Sequence, residues 1–354
     1  MPLTVSMQAE IDALTGKMFL RRPVNLIKQN HALASILLAK ANREYKKTIP
    51  VTFGLEIDRL PAKWLSGPYD TFADGGRTLT TTGSMDWSKL EITLEATGDE
   101  LVQQHGVDLG KVLNTSSLSE LPEEVAITLM STFNTAVRRQ KEDFLWNVGD
   151  AIYNGLGTSG TIFGLDPIIR QTTTAYAGLT PSDFSTDPIT SNSFWTPQRS
   201  HNSGTLREVD ANLISQTISK IFRVSNGDDN KNHTNSNIIA LCNLNVWNRI
   251  TRFLKSDFRY SAETEYVDMG LQSFGYDLAS FVRDDLCPNN FIYFLNLDYL
   301  ELYLCSTRDE NNFQGWSKAQ RQDLITGETI TNLMLLCKNR HLQAVIEDAK
   351  GIND

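Results

Sequence analysis

Residues 119–153, SELPEEVAITLMSTFNTAVRRQKEDFLWNVGDAIY, decide the fold of this 354-residue chain. Apolar side chains recur there at intervals of four and seven residues, which is typical of one long amphipathic helix. Pro122 and the two glutamates after it form a favourable helix start, because proline suits the first turn and carboxylates suit its positive end. At 1.5 Å per residue the helix would be roughly 50 Å long, so other parts of the chain must pack along it.

A glycine-rich string follows this helix directly. Residues 155–160, GLGTSG, match the G-x-G-x-x-G pattern of dinucleotide-binding turns. That pattern binds a pyrophosphate where it joins a strand to a helix, and here it follows a helix instead. We therefore interpret the string as a helix end, with Gly155 in the left-handed conformation. A soluble nucleotide-dependent enzyme stays a remote alternative, and we predict no cofactor.

Two predicted strands precede the helix and frame a long loop. Residues 51–57 alternate apolar and polar side chains, and residues 85–94 do so again with a phase slip near 88–89, which is typical of a β-bulge. About 26 residues separate the two strands. Loops of this length are uncommon in compact domains unless they have a role. This loop carries three aromatic residues: Trp64, Tyr69 and Phe72.

The charge of the chain is divided unevenly. The formal net charge is −9, but residues 1–50 carry 8 Lys/Arg against 3 Asp/Glu, and the other 304 residues carry 25 against 39. The N-terminal segment, with two short predicted helices, is therefore basic at +5, and the body is acidic at −14. Such a split indicates a separate partner for the segment, although basic residues on an ordinary solvated helix face would produce it too.

The second half of the chain has the pattern of a mixed α/β module. Apolar spacing predicts two helices, at 206–223 and 246–254, and four short strands, at 238–242, 280–283, 291–295 and 299–304. Residues 331–338 and 341–347 are two further apolar runs around Asn339-Arg340. We predict that these two runs close the chain as a hairpin.

Signals for catalysis, metal binding and targeting are weak. The five histidines are scattered and the four cysteines lie tens of residues apart without a C-x-x-C, so we expect buried reduced thiols and no metal site. Asp284 and Asp285 would point to opposite sides, which predicts turn capping rather than a shared proton. No apolar run approaches the ~18 residues that cross a membrane, and the first twenty residues lack the apolar core of a secretory signal.

Local motifs stand out along the chain: GLDPII at 164–169, YAGL at 176–179 with Phe194-Trp195 downstream, FIYFLNLDYL at 291–300, and CKNRHLQ at 337–343. Together with the order of the elements, they resemble the major capsid proteins of tailed bacteriophages. The resemblance covers essentially the whole chain. The sequence departs from the family at Ala177, where the family has glycine, and by a longer polar insert at 180–193.

The resemblance implies an α+β fold, the phage major capsid fold or Johnson fold. Its parts would be an N-terminal arm at 1–50, an extended E-loop hairpin at 51–98, a P-domain at 99–165 with its spine helix at 119–153, an α/β A-domain at 166–330, and residues 331–354 returning to the P-domain as a hairpin and C-terminus. Extended elements that are unstable alone are expected in such a subunit, because neighbouring subunits cover them.

The resemblance also implies a structural role without enzymatic activity. Copies of the chain would self-assemble into hexamers and pentamers of an icosahedral phage head enclosing double-stranded DNA, first as a procapsid that later expands. Expected partners are a separate scaffolding protein, unless the chain is cleaved beforehand, a portal, decoration proteins and packaged DNA in non-specific contact, with no membrane. Assembly would occur in the bacterial host cytoplasm and the product would be the virion capsid. An encapsulin-like nanocompartment shell around an enzyme cargo is the alternative.

Two groups of residues are candidate contact sites in such a shell. Trp64, Tyr69 and Phe72 would anchor the E-loop on an adjacent subunit, because aromatic residues dominate interface hot spots. Packing of that loop on its own subunit is the alternative. The basic arm would run along the inner face or clasp a neighbour's acidic body, and any phosphate contact would be sequence-independent. Its candidate residues are Arg21, Arg22, Lys28, Arg43, Lys46 and Lys47.

Overall fold

The computed structural model describes residues 31–43, 50–56, 80–97, 140–158, 160–186, 192–221, 237–254, 273–276, 279–309, 313–318 and 324–352. The chain divides into two compact units. The first comprises Met1–Thr48, Ser88–Asp150 and Tyr303–Leu333. The second comprises Ile49–Trp87, Ala151–Leu302 and Met334–Asp354.

The described helices are α1 (Ala32–Ala39), α2 (140–154), α3 (Ala211–Ile221) and α4 (Leu244–Leu254). The described strands are β1 (Val51–Glu56), β2 (Thr80–Met85), β3 (Ser88–Thr97), β4 (Gln198–Ser200), β5 (Ile238–Cys242), β6 (Ser273–Tyr276), β7 (Ala279–Arg283), β8 (Ile292–Asn296), β9 (Leu300–Leu304), β10 (Phe313–Lys318), β11 (Leu324–Cys337) and β12 (Ala344–Ile346). A π-helical turn, Asp166–Arg170, and two short 3₁₀ turns, Pro181–Asp183 and Arg340–Leu342, connect them.

Helix α1 lies in the core of the first unit. The side chains of Leu33, Ile36 and Leu37 are at most 3% exposed, as expected for an apolar stripe that cannot be stable alone. Just beyond the helix, the Asn42 carbonyl accepts a hydrogen bond from Leu304 N at 2.9 Å. This part of the predicted arm is therefore packed within its own unit.

The predicted bulged strand at 85–94 is wrong, because the segment contains two strands in different sheets. Strand β2 ends at Met85 and pairs antiparallel with β1, while β3 begins at Ser88 and pairs antiparallel with β11. The phase slip in the sequence therefore marks the point where the chain leaves one sheet and enters another. A bulge and a change of sheet both shift the apolar alternation, so periodicity alone does not separate them.

The second unit is built on a six-stranded mixed sheet in the order β4-β12-β8-β5-β7-β6. Strand β5 is parallel to β7 and antiparallel to β8, and every residue of β5, β8 and β12 is buried. The buried faces of α3 and α4, including Ile214, Ile218, Val246 and Ile250, pack in the same core cluster as the sheet. The two helices and the strands predicted for this module are confirmed within a few residues.

The predicted closing hairpin is wrong. Strand β11 pairs with β3, β10 and β9, whereas β12 pairs in parallel with β4 and antiparallel with β8. The two strands therefore belong to different sheets, and the 3₁₀ turn Arg340–Leu342 carries the chain between them. Asn339 caps this turn, since its side-chain oxygen accepts a hydrogen bond from His341 N at 3.1 Å. Asn339-Arg340, which resembles a hairpin turn in the sequence, is therefore the point where the chain passes from one sheet to the other.

Helix α2 is the described part of the predicted spine helix, whose residues 119–139 lie outside the described residues. The predicted apolar stripe is confirmed over 140–154, because Phe144, Val148 and Ile152 are at most 7% exposed. Trp146 lies off this stripe and is 51% exposed. One face of the helix is thus fully used in packing and the other is not.

The end of α2 differs from its prediction. Gly155 continues the helix by donating its N–H to Ala151 O at 2.9 Å, and the left-handed residue is Gly157, with φ +69°. Glycine is required at 155 by close approach, since a Cβ there would lie 2.4 Å from the carbonyl oxygens of Ala151 and Ile162. The chain folds back so tightly that Gly164 N donates to Gly155 O at 2.7 Å. The string therefore joins a helix to a tight turn, which does not suit dinucleotide binding.

The remaining chemical predictions concern thiols, metals and membranes. All four cysteines are buried and free, which confirms the prediction of buried thiols. Within the described stretches, no three His, Cys, Asp or Glu side chains are grouped so that they could hold a metal ion. No helix among the described residues is long and apolar enough to span a membrane.

We predict that Gly155→Ala lowers the free energy of unfolding of the unassembled protein by about 1–3 kcal/mol, because the new methyl group meets backbone oxygens that cannot move aside. Urea unfolding followed by circular dichroism measures this change. The control is Gly54→Ala, where nothing lies within 4 Å of the new Cβ and the change should stay within about 0.5 kcal/mol. Equal stability of the two variants would contradict the close approach at 155.

Candidate functional site

Most of the predicted contact residues lie outside the described residues. This holds for Trp64, Tyr69 and Phe72 in the loop and for Arg21, Arg22, Lys28, Lys46 and Lys47 in the arm. Arg43 is described, and its Nη1 lies 3.6 Å from Asp309 Oδ2 of the same chain, with 40% of the arginine side chain exposed. The contact roles of all these residues remain predictions. The structure does describe the strands and the turn that hold the two ends of the loop.

The loop 57–79 is held at its base by the β1–β2 hairpin. The two strands pair without a shift from Val51 opposite Met85 to Glu56 opposite Thr80. Val51 and Met85 form the end of the hairpin that is farthest from the loop, and they are 4% and 3% exposed, so the base of the hairpin is buried in the second unit. The strands on either side of the loop therefore pair as a hairpin, with β2 as the partner of β1 instead of the predicted strand at 85–94.

A tight turn at residues 176–179 supports the hairpin. Tyr176 and Leu179 exchange two backbone hydrogen bonds, at 2.9 and 3.0 Å, and both central residues have positive φ, 56° at Ala177 and 77° at Gly178. This is the turn geometry that normally favours glycine or asparagine. The Ala177 carbonyl accepts a hydrogen bond from Ser84 N of β2 at 3.1 Å. Alanine therefore adopts a left-handed backbone conformation at position 177, and its carbonyl still holds β2 of the hairpin.

The turn is fixed in the core through Tyr176. Its ring is 1% exposed and packs between Phe163 and Trp195, with ring centroids 5.8 and 6.1 Å away. The Tyr176 hydroxyl accepts from Cys337 N at 2.8 Å and donates to Leu335 O at 3.3 Å. Burial raises the pKa of this hydroxyl, so it stays protonated and keeps its donor.

Arg340 lies beneath the same corner with no exposed surface. Its guanidinium carbon is 5.7 Å from the Tyr176 ring centroid. Burial lowers the pKa of the guanidinium, but arginine keeps its charge because its ordinary pKa is so high. The guanidinium donates to four backbone carbonyls at 2.7–3.1 Å, those of Pro167, Ile168, Gln171 and Thr174. These are the orphan carbonyls of the π-helical turn and the loop after it, so Arg340 caps them from inside the protein.

A second set of charges joins the same turn to the C-terminal strand. Glu347, with 7% of its side chain exposed, accepts hydrogen bonds from Arg199 at 2.9 and 2.7 Å and from Arg170 at 3.3 Å. The hydrogen bonds to Glu347 raise the pKa of Arg199. Arg170 also pairs with Asp166 at 2.6 Å. The bidentate geometry fixes β4 against the end of β12, which is a structural function rather than a reactive one.

The adjacent carboxylates Asp284 and Asp285 behave as predicted. Asp284 is 1% exposed and caps a turn, because its Oδ1 accepts from Leu286 N at 3.0 Å. Its Oδ2 accepts from the Tyr153 hydroxyl at 2.9 Å. Asp285 is exposed and pairs with Arg283 at 2.9 Å. The two carboxylates therefore face different surroundings and do not form an acid–base pair.

Two buried thiols lie near Asp284. Burial, and to a smaller extent the negative charge of Asp284, raises the pKa of Cys242. Burial also raises the pKa of Cys287 well above its ordinary value, and its neighbours Cys242 and Asp284 add to the effect. A thiol in such surroundings stays protonated and is a poor nucleophile, so the cluster does not indicate thiol catalysis.

Sequence reasoning missed several residues of this site. Arg340, Glu347 and Arg199 gave no signal, because their charges do not repeat at the period of a helix or a strand. Trp146 did give a signal, since an aromatic residue two positions after Phe144 falls off the apolar stripe of the predicted helix. Its position could therefore have been identified from the sequence.

We predict that Arg340→Met lowers the free energy of unfolding by about 3 kcal/mol or more, because it leaves several buried carbonyls without a donor. Denaturant unfolding of the unassembled protein measures it. The matched control is Arg252→Met on an exposed site in the last turn of α4, for which we expect a change within about 0.5 kcal/mol. If Arg340→Met were as stable as the control, the buried guanidinium would not hold this corner.

We also predict a loss of stability at alkaline pH from the buried thiols. The folded-state pKa of Cys242 is raised, so its contribution is fully present below the unfolded thiol pKa of about 8.5 and is lost as pH rises above it. In reducing buffer, the free energy of unfolding should decrease less steeply above pH 9 in Cys242→Ala than in the wild type. The difference in slope should be up to about 1.4 kcal/mol per pH unit. Ile238→Val, in the same buried strand, should shift the curve without changing its slope. Parallel curves for wild type and Cys242→Ala would contradict the prediction.

Comparison with known proteins identifies the fold of the whole chain. No protein-family model and no curated protein matches this sequence. A chain of the cyanophage A-1(L) capsid asymmetric unit is similar in structure with a TM-score of 0.63 at 15% identity, covering 91% of this chain and 93% of that one. Chains of the capsids of the native and empty GTA particles have TM-scores of 0.56 and 0.55 at 8% and 9% identity, each covering 89% of this chain and 90% of theirs. The chain therefore has the major capsid fold of tailed bacteriophages, as its sequence predicts.

Proposed function

We propose that this chain is the structural subunit of a closed capsid shell built from copies of itself. The observation that supports this most is the similarity to the cyanophage A-1(L) capsid chain, which extends over nine-tenths of both chains rather than one shared module. A fold alone does not determine function, so the site must agree with it. The site agrees with a structural role, because the buried charges and hydrogen bonds of the described residues stabilise the corner around Tyr176 and the base of the β1–β2 hairpin.

The finer parts of the proposal follow from the family resemblance. Copies would associate as hexamers and pentamers of an icosahedral head around double-stranded DNA, with a scaffolding protein, a portal and decoration proteins as partners. The product would be the virion capsid, assembled in the host cytoplasm, and the subunit would have no enzymatic activity. The acidic body suits a container for DNA, since a strongly basic wall would hold the genome in place.

The hairpin β1–β2 supports a role for neighbouring subunits. A two-stranded ribbon is at best marginally stable by itself. Here its buried end is fixed by Val51, Met85 and the 176–179 turn, while Thr80, Thr82 and Ser84 on β2 are exposed. An adjacent subunit lying against the ribbon would supply the missing cover. We therefore propose that the loop 57–79 makes contact between subunits.

Electron microscopy of the purified full-length chain tests the proposed function. We expect shells or ring-shaped capsomers, and nuclease-resistant DNA in particles recovered from cells that package it. Monodisperse monomers at high protein concentration, with and without added crowding agents, would overturn the proposal. Shells that contain an enzyme instead of DNA would support the encapsulin-like alternative and overturn the phage head.

We predict that replacing residues 60–76 by a short Gly-Ser linker prevents shell formation while the monomer still folds, because β1 and β2 keep their register. Particle yield in a sucrose gradient should fall by roughly tenfold or more, as expected when interface anchors are removed. The matched control shortens the polar segment 226–234, which should leave the particle yield unchanged. Normal shells from the 60–76 replacement would contradict a contact role for the loop.

A further inference from the structure

The turn at residues 176–179 holds β2 through a strained residue. Ala177 has φ +56° and Gly178 has φ +77°, so both central residues lie in the left-handed region. Glycine enters this region without steric cost, whereas the Cβ of alanine comes too close there to the following carbonyl oxygen. The strain therefore lies at the residue whose carbonyl accepts the hydrogen bond from Ser84 N at 3.1 Å.

Both sides of the turn are fixed, so a shift of the flanking residues does not relieve the strain. On one side, Tyr176 is 1% exposed, and its hydroxyl is hydrogen-bonded to the main chain at residues 335 and 337. On the other side, Thr180 precedes the 3₁₀ turn Pro181–Asp183, and its N–H donates to Asp183 Oδ2 at 2.7 Å. Relief has to come from the backbone of residues 177 and 178 themselves.

A second type of turn fits between the same two ends. A four-residue turn with positive φ at both central residues is type I′, whereas type II has φ of about −60° at the first of them. The second central residue of a type II turn has φ of about +80°, which Gly178 already matches. Conversion from type I′ to type II therefore changes only the torsion angles of Ala177, and it removes the strain at this residue.

The same conversion releases β2. It rotates ψ of Ala177 by roughly 90°, so the Ala177 carbonyl turns away from Ser84 N. Apolar contacts with β2 do not depend on this carbonyl. At Gly83 an added Cβ would lie 2.6 Å from Phe53 Cζ and 3.2 Å from Leu179 Cδ1, so both side chains pack directly on the backbone of β2. These contacts keep the hairpin in place while the hydrogen bond is broken.

We propose that the 176–179 turn is a two-state latch on the β1–β2 hairpin. In the closed state Ala177 is left-handed and its carbonyl holds Ser84 N. In the open state Ala177 has negative φ, and the edge of β2 is released while the sheet beneath it stays folded. The strain at alanine brings the two states close in free energy, so the latch opens within the folded protein. The inference concerns a single chain and does not rest on the proposed function.

Hydrogen–deuterium exchange of the unassembled chain, resolved to single amides by mass spectrometry, tests the latch. The Ser84 amide should exchange at a rate that low concentrations of urea leave unchanged, because opening of one turn exposes little surface. The amide of Ala240, in the fully buried strand β5, should exchange far more slowly and should respond to urea. Exchange at Ser84 that is as slow and as dependent on urea as at Ala240 would overturn the proposal.

Substitution of the strained residue provides the main comparison. Ala177→Gly removes the strain of the closed state, so it should slow exchange at Ser84 roughly fivefold or more. The matched control is Ser203→Gly, which removes a left-handed residue with φ +54° from an exposed site and should leave exchange at Ser84 unchanged. The latch is wrong if Ala177→Gly exchanges at Ser84 as fast as the wild type, or if Ser203→Gly slows it equally.

A second variant tests the type of turn in the open state. The φ of Gly178 is positive in both proposed states, and nothing lies within 4 Å of a Cβ added there. Gly178→Ala should therefore raise the free energy of both states equally. We expect a lower urea midpoint for global unfolding and an unchanged rate of urea-independent exchange at Ser84. Much faster exchange at Ser84 in this variant would show that the turn opens by another route and would overturn the two-state latch.

Discussion

The buried guanidinium of Arg340 is the interaction on which the described second unit depends. It donates hydrogen bonds to four backbone carbonyls between residues 167 and 174. These carbonyls lie outside any regular strand or α-helix that would supply donors. Its removal from water is tolerated because each of these hydrogen bonds joins a charge to a carbonyl. Arg340 also lies under Tyr176, whose turn accepts the backbone of β2. One side chain near the C-terminus therefore determines how the chain holds the base of a hairpin that begins at Val51.

This arrangement explains how the chain carries a two-stranded hairpin that has no core of its own. The hairpin is short and two-stranded, so its own pairing contributes little stability. The corner beneath it is rigid, because Tyr176 is hydrogen-bonded on both sides and Glu347 joins β4 to the π-helical turn. Rigidity at the base holds β1 and β2 in register. In the proposed shell, neighbouring copies would cover the ribbon and the loop 57–79.

Sequence reasoning succeeded where a pattern is local and failed where pairing is distant. The stripe Phe144, Val148 and Ile152 and the buried strands β5 and β8 follow from spacing and apolar runs alone. The break at Asp86 and Trp87 was misread, because apolar alternation has no marker for a change of sheet. The hairpin at the C-terminus was misread for a related reason, since the partners of β12 include β4, more than a hundred residues earlier. Arg340 could not be predicted at all, because its four acceptors are main-chain atoms of a distant turn.

The uneven charge of the sequence, +5 over residues 1–50 and −14 over the rest, would have a physical role in the proposed shell. Contacts between exposed charges are individually weak and are screened by salt. Weak contacts would suit the proposed shell, because a misplaced copy must be able to leave before the shell closes. Differences in affinity arise mainly from the rate of dissociation. Like charges also disfavour the wrong pairing, since two basic segments or two acidic bodies repel each other. In the proposed shell, a basic segment and an acidic body in one chain would therefore favour head-to-tail contact between copies, the kind of interface that forms closed rings.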